Sequence, residues 1–178
     1  LMSKFVLIDG HSILNRAFYG VPIFTNSEGL HTNAVFGFLN IMFKIIDSKQ
    51  PDYMAVAFDV HQPTFRHEMF KDYKGTRKPM MEELREQVPV IKELLQKMNI
   101  TTVELPGYEA DDVIGTLSKK GEKAGMEVDV ISGDRDLLQL ASDHITICIP
   151  KTKKGQTTVE EYNTEGVRKL YKVTPTEF

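Results

Sequence analysis

The chain has 178 residues, 41% of them hydrophobic, with 22 Lys and Arg against 25 Asp and Glu and a net charge of −3. That length suits one soluble domain burying roughly 70% of its unfolded surface, and the slight acidity excludes a simple electrostatic nucleic-acid sponge unless divalent metal reverses the sign where acids cluster. The single Cys148 excludes an intrachain disulfide and reads as a small buried hydrophobe, and no apolar run approaches the roughly 18 residues of a membrane span.

A cytoplasmic monomer with no membrane attachment is expected. Leu1 ahead of Met2 reads as extraneous to the natural chain. The first predicted strand, Phe5 to Ile8, ends at Asp9, and Gly10 behind it permits close approach of backbone. Ser12 to Tyr19 reads as a helix. Asn33 to Ser48 repeats apolar residues at Val35, Phe36, Leu39, Met42, Phe43 and Ile46, the spacing of one helix face. Pro51-Asp52 punctuates before a second strand, Met54 to Phe58, which ends at Asp59. Strand, helix and strand in this order predict a right-handed crossover and parallel pairing.

The stretch 61–80 breaks the rhythm. Pro63, Gly75 and Pro79 bound a segment in which Arg66, Lys71, Lys74, Arg77 and Lys78 alternate with Phe65, Phe70 and Tyr73. Cations can track a phosphate backbone and aromatic rings can stack on bases, although Glu68 and Asp72 dilute the charge and a solvated amphipathic loop reads equally well. Met81 to Lys97 resumes helical spacing through Leu84, Val88, Ile91 and Leu95. The third strand, Thr102 to Leu105, turns through Pro106-Gly107 into a helix from about Tyr108 to Ala124, with Gly125 as its stop. The fourth, Val128 to Ile131, turns through Ser132-Gly133 into a short helix at Leu137 to Leu140. Ile145 to Ile149 is the fifth strand. A basic turn at Lys151 to Gln156, a short strand at Thr157 to Val159 and a helix from Thr164 to Tyr171 complete the chain. The alternation predicts an α/β fold: one domain over 1–178, a mostly parallel central sheet, helices on both faces.

Carboxyl ends of parallel strands share one edge of the sheet, so Asp9, Asp59, Glu109, Asp111, Asp112, Asp134 and Asp136 are expected to converge. Any one of them could be a helix cap. Together they exceed what caps require, and Asp9 and Asp59, at strand ends, are not obvious caps. Crowded carboxylates repel unless a hard cation sits among them, and an oxygen-only donor set suits Mg²⁺ or Mn²⁺. Zinc is disfavoured, because His11, His31, His61, His67 and His144 show no paired ligand spacing and read as surface or polar-network residues. Two ions roughly 3.5–4 Å apart activate water and stabilise the leaving oxygen of a phosphodiester, which makes phosphoryl hydrolysis the leading chemistry.

Several ordered motifs then resemble a known family: Leu7-Ile8-Asp9-Gly10-His11, Ala57-Phe58-Asp59, Phe65-Arg66-His67-Glu68, Tyr73-Lys74-Gly75-Thr76-Arg77, the run from Pro106 to Leu117, and Gly133-Asp134-Arg135-Asp136-Leu137. They resemble the 5′ nuclease domain at the N-terminus of bacterial DNA polymerase I, of the flap endonuclease group with a PIN-like, resolvase-like fold. The resemblance implies that the seven acids bind two Mg²⁺ or Mn²⁺ ions directly or through water. It places Tyr73, Lys74 and Arg77 in an arch over the site, Lys74 and Arg77 among the catalytic residues, and Arg16 and Arg66 among the DNA contacts. It implies a 5′-3′ exonuclease and structure-specific flap endonuclease acting in replication and repair on DNA with 5′ flaps or nicks and on RNA primers, covalently joined to a polymerase module.

The family pattern continues past Thr174-Pro175-Thr176-Glu177-Phe178 into further acids and a helix-hairpin-like DNA grip, so a truncated domain with weak or no cleavage of its own is expected. Met81 stands where relatives often have Pro, a change that costs little because Pro there only preorganises the first turn. A PIN-type ribonuclease and a non-catalytic nucleic-acid-binding module are the alternatives. A phosphoaspartate phosphatase or receiver fits badly: the phosphatase needs an acid where His11 stands, and the receiver needs only one small acidic pocket.

Overall fold

The computed structural model describes residues 1–60, 80–153 and 156–177. Strands β1 (Lys4–Asp9), β2 (Tyr53–Ala57), β3 (Thr101–Val103), β4 (Glu127–Ile131), β5 (Ile145–Lys153) and β6 (Gln156–Tyr162) form one sheet in the order β3-β2-β1-β4-β5-β6. All neighbours are parallel except β5 and β6, which form an antiparallel hairpin. The chain leaves β1 toward β2 and β3, then returns to β4 on the other side. The β1/β4 boundary is therefore the topological switch point, outside whose carboxyl ends open α/β sheets place their ligands.

The central strands are hydrophobic without interruption because helices cover both faces. Val6 and Ile8 of β1 point to one side and Leu7 to the other, following the two-residue period of a strand. Helices α1 (Gly10–Gly20), α2 (Asn33–Lys49) and α4 (Gln87–Lys97) bury Ile13, Leu14, Phe38, Ile41, Ile91 and Leu95 on the first side. On the second, α5 (Ala110–Lys123) and α6 (Thr164–Tyr171) bury Val113, Ile114 and Val167. No helix among the described residues is long and apolar enough to cross a membrane.

The face expected for α2 is met in part. Val35 and Met42 are buried and Leu39 and Ile46 pack against the core, but Phe36 and Phe43 are 52% and 49% exposed, and the buried stripe extends instead through Ala34, Phe38, Ile41 and Ile45. Apolar residues surround most of this helix, so periodicity alone selects no unique face. The deciding contact is tertiary: a Cβ on Gly37 would lie 2.8 Å from Cβ of Ala17, so α1 and α2 cross there and set the orientation. The single helix expected over Met81 to Lys97 is two, α3 (Glu82–Arg85) and α4, broken at Glu86. Pro89 has no N–H to give the carbonyl of Arg85, which interrupts the ladder at that point.

A buried amide joint holds α4 against the other helices. Gln87 Oε1 accepts the N–H groups of Ala34 and Val35 at 2.8 and 3.1 Å, capping α2, whose own N-cap Thr32 makes no side-chain cap. Its Nε2 donates to Asn33 Oδ1 at 2.9 Å, and Asn33 Nδ2 donates to the carbonyls of Phe18 and Val21 at the end of α1.

The last hairpin is longer than expected. β5 continues beyond Ile149 and β6 extends to Tyr162, because the charged residues that hid the pattern pair off: Lys151 meets Glu160 at 2.7 Å, and Lys49 bridges Glu161 and Asp129. Cys148 lies buried beside Asp129, and burial, then that carboxylate, pushes its thiol up to about 12.

Candidate active site

A cavity of about 690 Å³ opens at the carboxyl edge of the sheet, and five of the seven expected acids line it: Asp9, Asp59, Asp111, Asp134 and Asp136. They arrive from the ends of four strands. Asp9 closes β1, Asp59 follows β2, Asp111 lies in the first turn of α5 after β3, and Asp134 and Asp136 follow β4.

Local bonding explains how each is aimed. Asp9 is the N-cap of α1, with Oδ1 accepting the Ser12 N–H at 3.5 Å and Oδ2 accepting the Ser132 hydroxyl at 2.8 Å. Asp59 Oδ1 accepts the N–H of Ala110, the first residue of α5, at 2.6 Å, and the Asp59 N–H donates to Nδ1 of His11 at 3.2 Å. Asp134 Oδ1 accepts the Asp136 N–H at 2.9 Å and caps the 3-10 turn Arg135–Leu140. Asp9 and Asp59, not obvious caps from the sequence, both cap: one its own helix, the other a helix 51 residues away in sequence. Glu109 and Asp112 do not line the cavity. They form the capping box of α5, with Asp112 Oδ2 accepting the Glu109 N–H at 3.1 Å.

Capping does not neutralise the cluster. Burial raises Asp111 from 3.8 to about 7, and the carboxylates of Asp9, Asp134, Asp59 and Glu109 add to the rise. Burial likewise raises Asp9 to about 6 against the opposing hydrogen bonds from Ser132 and Ser12, with Asp59 and Asp134 pushing it further. Glu109 therefore acts on the site through its charge. Among the described residues lining the cavity, the one permanent cation is Arg16, whose guanidinium lies across Gly133: a Cβ there would stand 2.7 Å from Nη2. Arg66, Tyr73, Lys74 and Arg77 fall outside the described residues, together with His61 and His67.

The donor set fits a hard, hydrated cation. It is rich in carboxylate oxygen and short of positive charge, and it is spread wider than one coordination sphere. Among the described residues, the group of three His, Cys, Asp or Glu whose ligand atoms all lie within 4.8 Å of one another is Asp129, Cys148 and Glu161, where the Lys49 ammonium already sits. Carboxylates held farther apart suit a hard divalent cation that keeps several of its waters.

Ser12, Ser132, Asn15 and Tyr19 were not singled out from sequence. Ser12, Asn15 and Tyr19 line the cavity, and Ser132 lies behind its wall. A serine three residues after Asp9 and another two before Asp134 are recognisable local turn and capping signals, but only the fold makes them neighbours.

A family model described as the 5′-3′ exonuclease, N-terminal resolvase-like domain matches residues 4–172. This chain belongs to that family. Among curated relatives, DNA polymerase I of Bacillus caldotenax is 51% identical over 175 residues, covering 98% of this chain and 20% of the relative. DNA polymerase I of Bacillus subtilis is 51% identical over 172 residues, covering 97% and 19%. The chain thus spans about a fifth of the length of these relatives.

Solved structures share the exonuclease-domain fold. The bacteriophage T5 5′-exonuclease with bound zinc ions superposes with a TM-score of 0.72 at 23% identity, over 96% of this chain and 61% of that one. The T5 flap endonuclease in complex with DNA and metal ions gives 0.70 at 22%, with the same coverage. The resolvase-like, mostly parallel sheet expected from the sequence is what the exonuclease domain has, and its carboxylates gather at the switch point of that sheet.

Proposed function

We propose that this chain is the nuclease part of a bacterial DNA polymerase I and that it hydrolyses phosphodiesters at 5′ flaps and nicks, in DNA and in RNA primers, with two Mg²⁺ or Mn²⁺ ions. In that role it works as a cytoplasmic monomer covalently joined to a polymerase module. The observation that carries this reading is the convergence of five carboxylates from four strand ends on a cavity with one permanent cation among its described residues, crowded enough to raise both Asp9 and Asp111.

Asp9, Asp59, Asp111, Asp134 and Asp136 would hold the ions, with Glu109 and Asp112 supporting them from the first turn of α5. Bound divalent cations supply a water acidic enough to attack at neutral pH and charge to stabilise the leaving oxygen. Arg16, which lines the same cavity, would orient the phosphate by a bidentate contact. Arg66, Tyr73, Lys74 and Arg77 are proposed as strand contacts, with Lys74 and Arg77 close enough to the scissile phosphate to share in catalysis. The test is cleavage of a 5′-labelled flap duplex with Mg²⁺ and with EDTA, using Asp111→Asn as control. Metal-dependent product lost in the variant is expected. Preferential cleavage of single-stranded RNA would move the chain to a ribonuclease, and no cleavage or metal binding even by a longer chain would make it a binding module.

A further inference from the structure

Resting on the metal-binding reading of the site, we propose that Ser132 is a positioning residue that fixes Asp9 and Asp134 relative to one another. The last rung of the β1/β4 ladder pairs Ile8 with Ile131, so Asp9 and Ser132 follow side by side where the strand order reverses. Ser132 is fully buried, and it does not line the cavity. Its hydroxyl donates to Asp9 Oδ2 at 2.8 Å and accepts the Asp134 N–H at 3.0 Å. It also lies 3.4 Å from Ser12 Oγ, which accepts the Gly133 N–H at 2.8 Å.

A serine hydroxyl has one proton and two acceptor sites: the short contact to Asp9 takes the proton, and the Asp134 N–H takes one acceptor site. The proton fixes the rotamer of the Asp9 carboxylate, while the accepted N–H fixes the backbone from which Asp134 projects. One atom therefore registers acids delivered by β1 and β4, 125 residues apart in sequence (134 − 9). Ser12 repeats the arrangement from α1, tying the same turn through Gly133. Ser132 touches neither ions nor substrate; it acts through the two carboxylates it holds.

The test is Mn²⁺ affinity, read by the paramagnetic resonance of free ion, with thermal midpoints of the metal-free proteins measured in parallel. Ser132→Ala should bind Mn²⁺ about 10-fold more weakly or worse, the usual effect of removing a partner of a ligating carboxylate. Ser132→Thr, which keeps the hydroxyl, should recover most of that loss. In an Asp9→Asn background, Ser132→Ala should have a smaller effect than in the parent, because part of its action passes through Asp9. Should Ser132→Ala fail to fold, Ser132→Cys, a near-isostere with a weak donor, should show an intermediate loss. Parent-like affinity in Ser132→Ala, or in Ser132→Cys if it replaces it, overturns the role of Ser132 and leaves the metal site standing. A parent chain with no carboxylate-dependent Mn²⁺ binding overturns both.

Discussion

Asp59 Oδ1 accepts the backbone N–H of Ala110 at 2.6 Å, which bonds the end of β2 directly to the first turn of α5. A carboxylate in the metal cavity therefore also joins two elements of the fold, and the two roles can be separated by substitution. Asp59→Asn keeps an acceptor for Ala110 and removes a charge from a crowded site, so it should equal or exceed the parent in metal-free stability while losing metal affinity. Asp59→Ala should lose about 1 kcal/mol as well, the ordinary value of a helix cap. Urea unfolding in EDTA and Mn²⁺ titration together distinguish the two.

Without metal, the site should weaken the fold as pH rises. Asp9 and Asp111 have folded-state values of about 6 and about 7 against 3.8 in an unfolded chain. For raised acids the stabilising contribution is complete below 3.8 and is lost as pH climbs through 6 to 7. Unfolding in EDTA should show lower stability at pH 8 than at pH 5, and Mn²⁺ should restore it at pH 8. Asp111→Asn should flatten the profile and stabilise the metal-free protein at pH 8 by roughly 1–2 kcal/mol after allowance for solvent screening.

Two glycines at the site should respond in opposite ways. A Cβ on Gly10 would meet the Phe58 ring at 2.4 Å and the carbonyl of Ala57 at 2.9 Å, so Gly10→Ala should lose about 1–3 kcal/mol by overpacking the junction of β1 and β2. At Gly133 the obstacle is the flexible end of Arg16. Gly133→Ala should change stability by less than about 0.5 kcal/mol, yet displace the guanidinium and lower the salt slope of DNA binding by about one phosphate contact. Thermal melts and binding isotherms at several salt concentrations check both.

The ends of β1, β2 and β4, and hence most of the acids, were legible to within a residue because buried parallel strands are short apolar runs with abrupt polar stops; β3 ends two residues before the expected Leu105 and β5 runs past Ile149. Helix α6 matched its expected bounds of Thr164 and Tyr171, since it opens on a capping Asn163, whose Oδ1 accepts the Gly166 N–H at 3.0 Å. The face of α2 was legible only in part, with Phe36 and Phe43 misassigned, because its sequence offers apolar residues in nearly every direction. Ser132 and Gln87 were not legible, since their partners lie 123 and 53 residues away and become partners only once the sheet is built.

Gln87 should prove one of the more sensitive positions outside the site. Gln87→Leu keeps much of the volume but leaves the N–H groups of Ala34 and Val35 buried without an acceptor, a penalty of roughly 2–4 kcal/mol. Gln87→Glu retains the acceptor but forfeits the donations to Asn33 and to the Glu83 carbonyl and places a carboxylate in a fully buried site, so it should lose at least as much at neutral pH and less at acid pH. Chemical denaturation of both variants gives the order.

The surroundings of Cys148 have a practical corollary. With a thiol enclosed by β-strands and held protonated up to about 12, the native protein should ignore maleimides and disulfide reagents, and a labelled molecule is one that has opened. Alkylation rate at this one sulfur thus reports the frequency of global unfolding, supplying a built-in clock for kinetic stability with and without divalent cations.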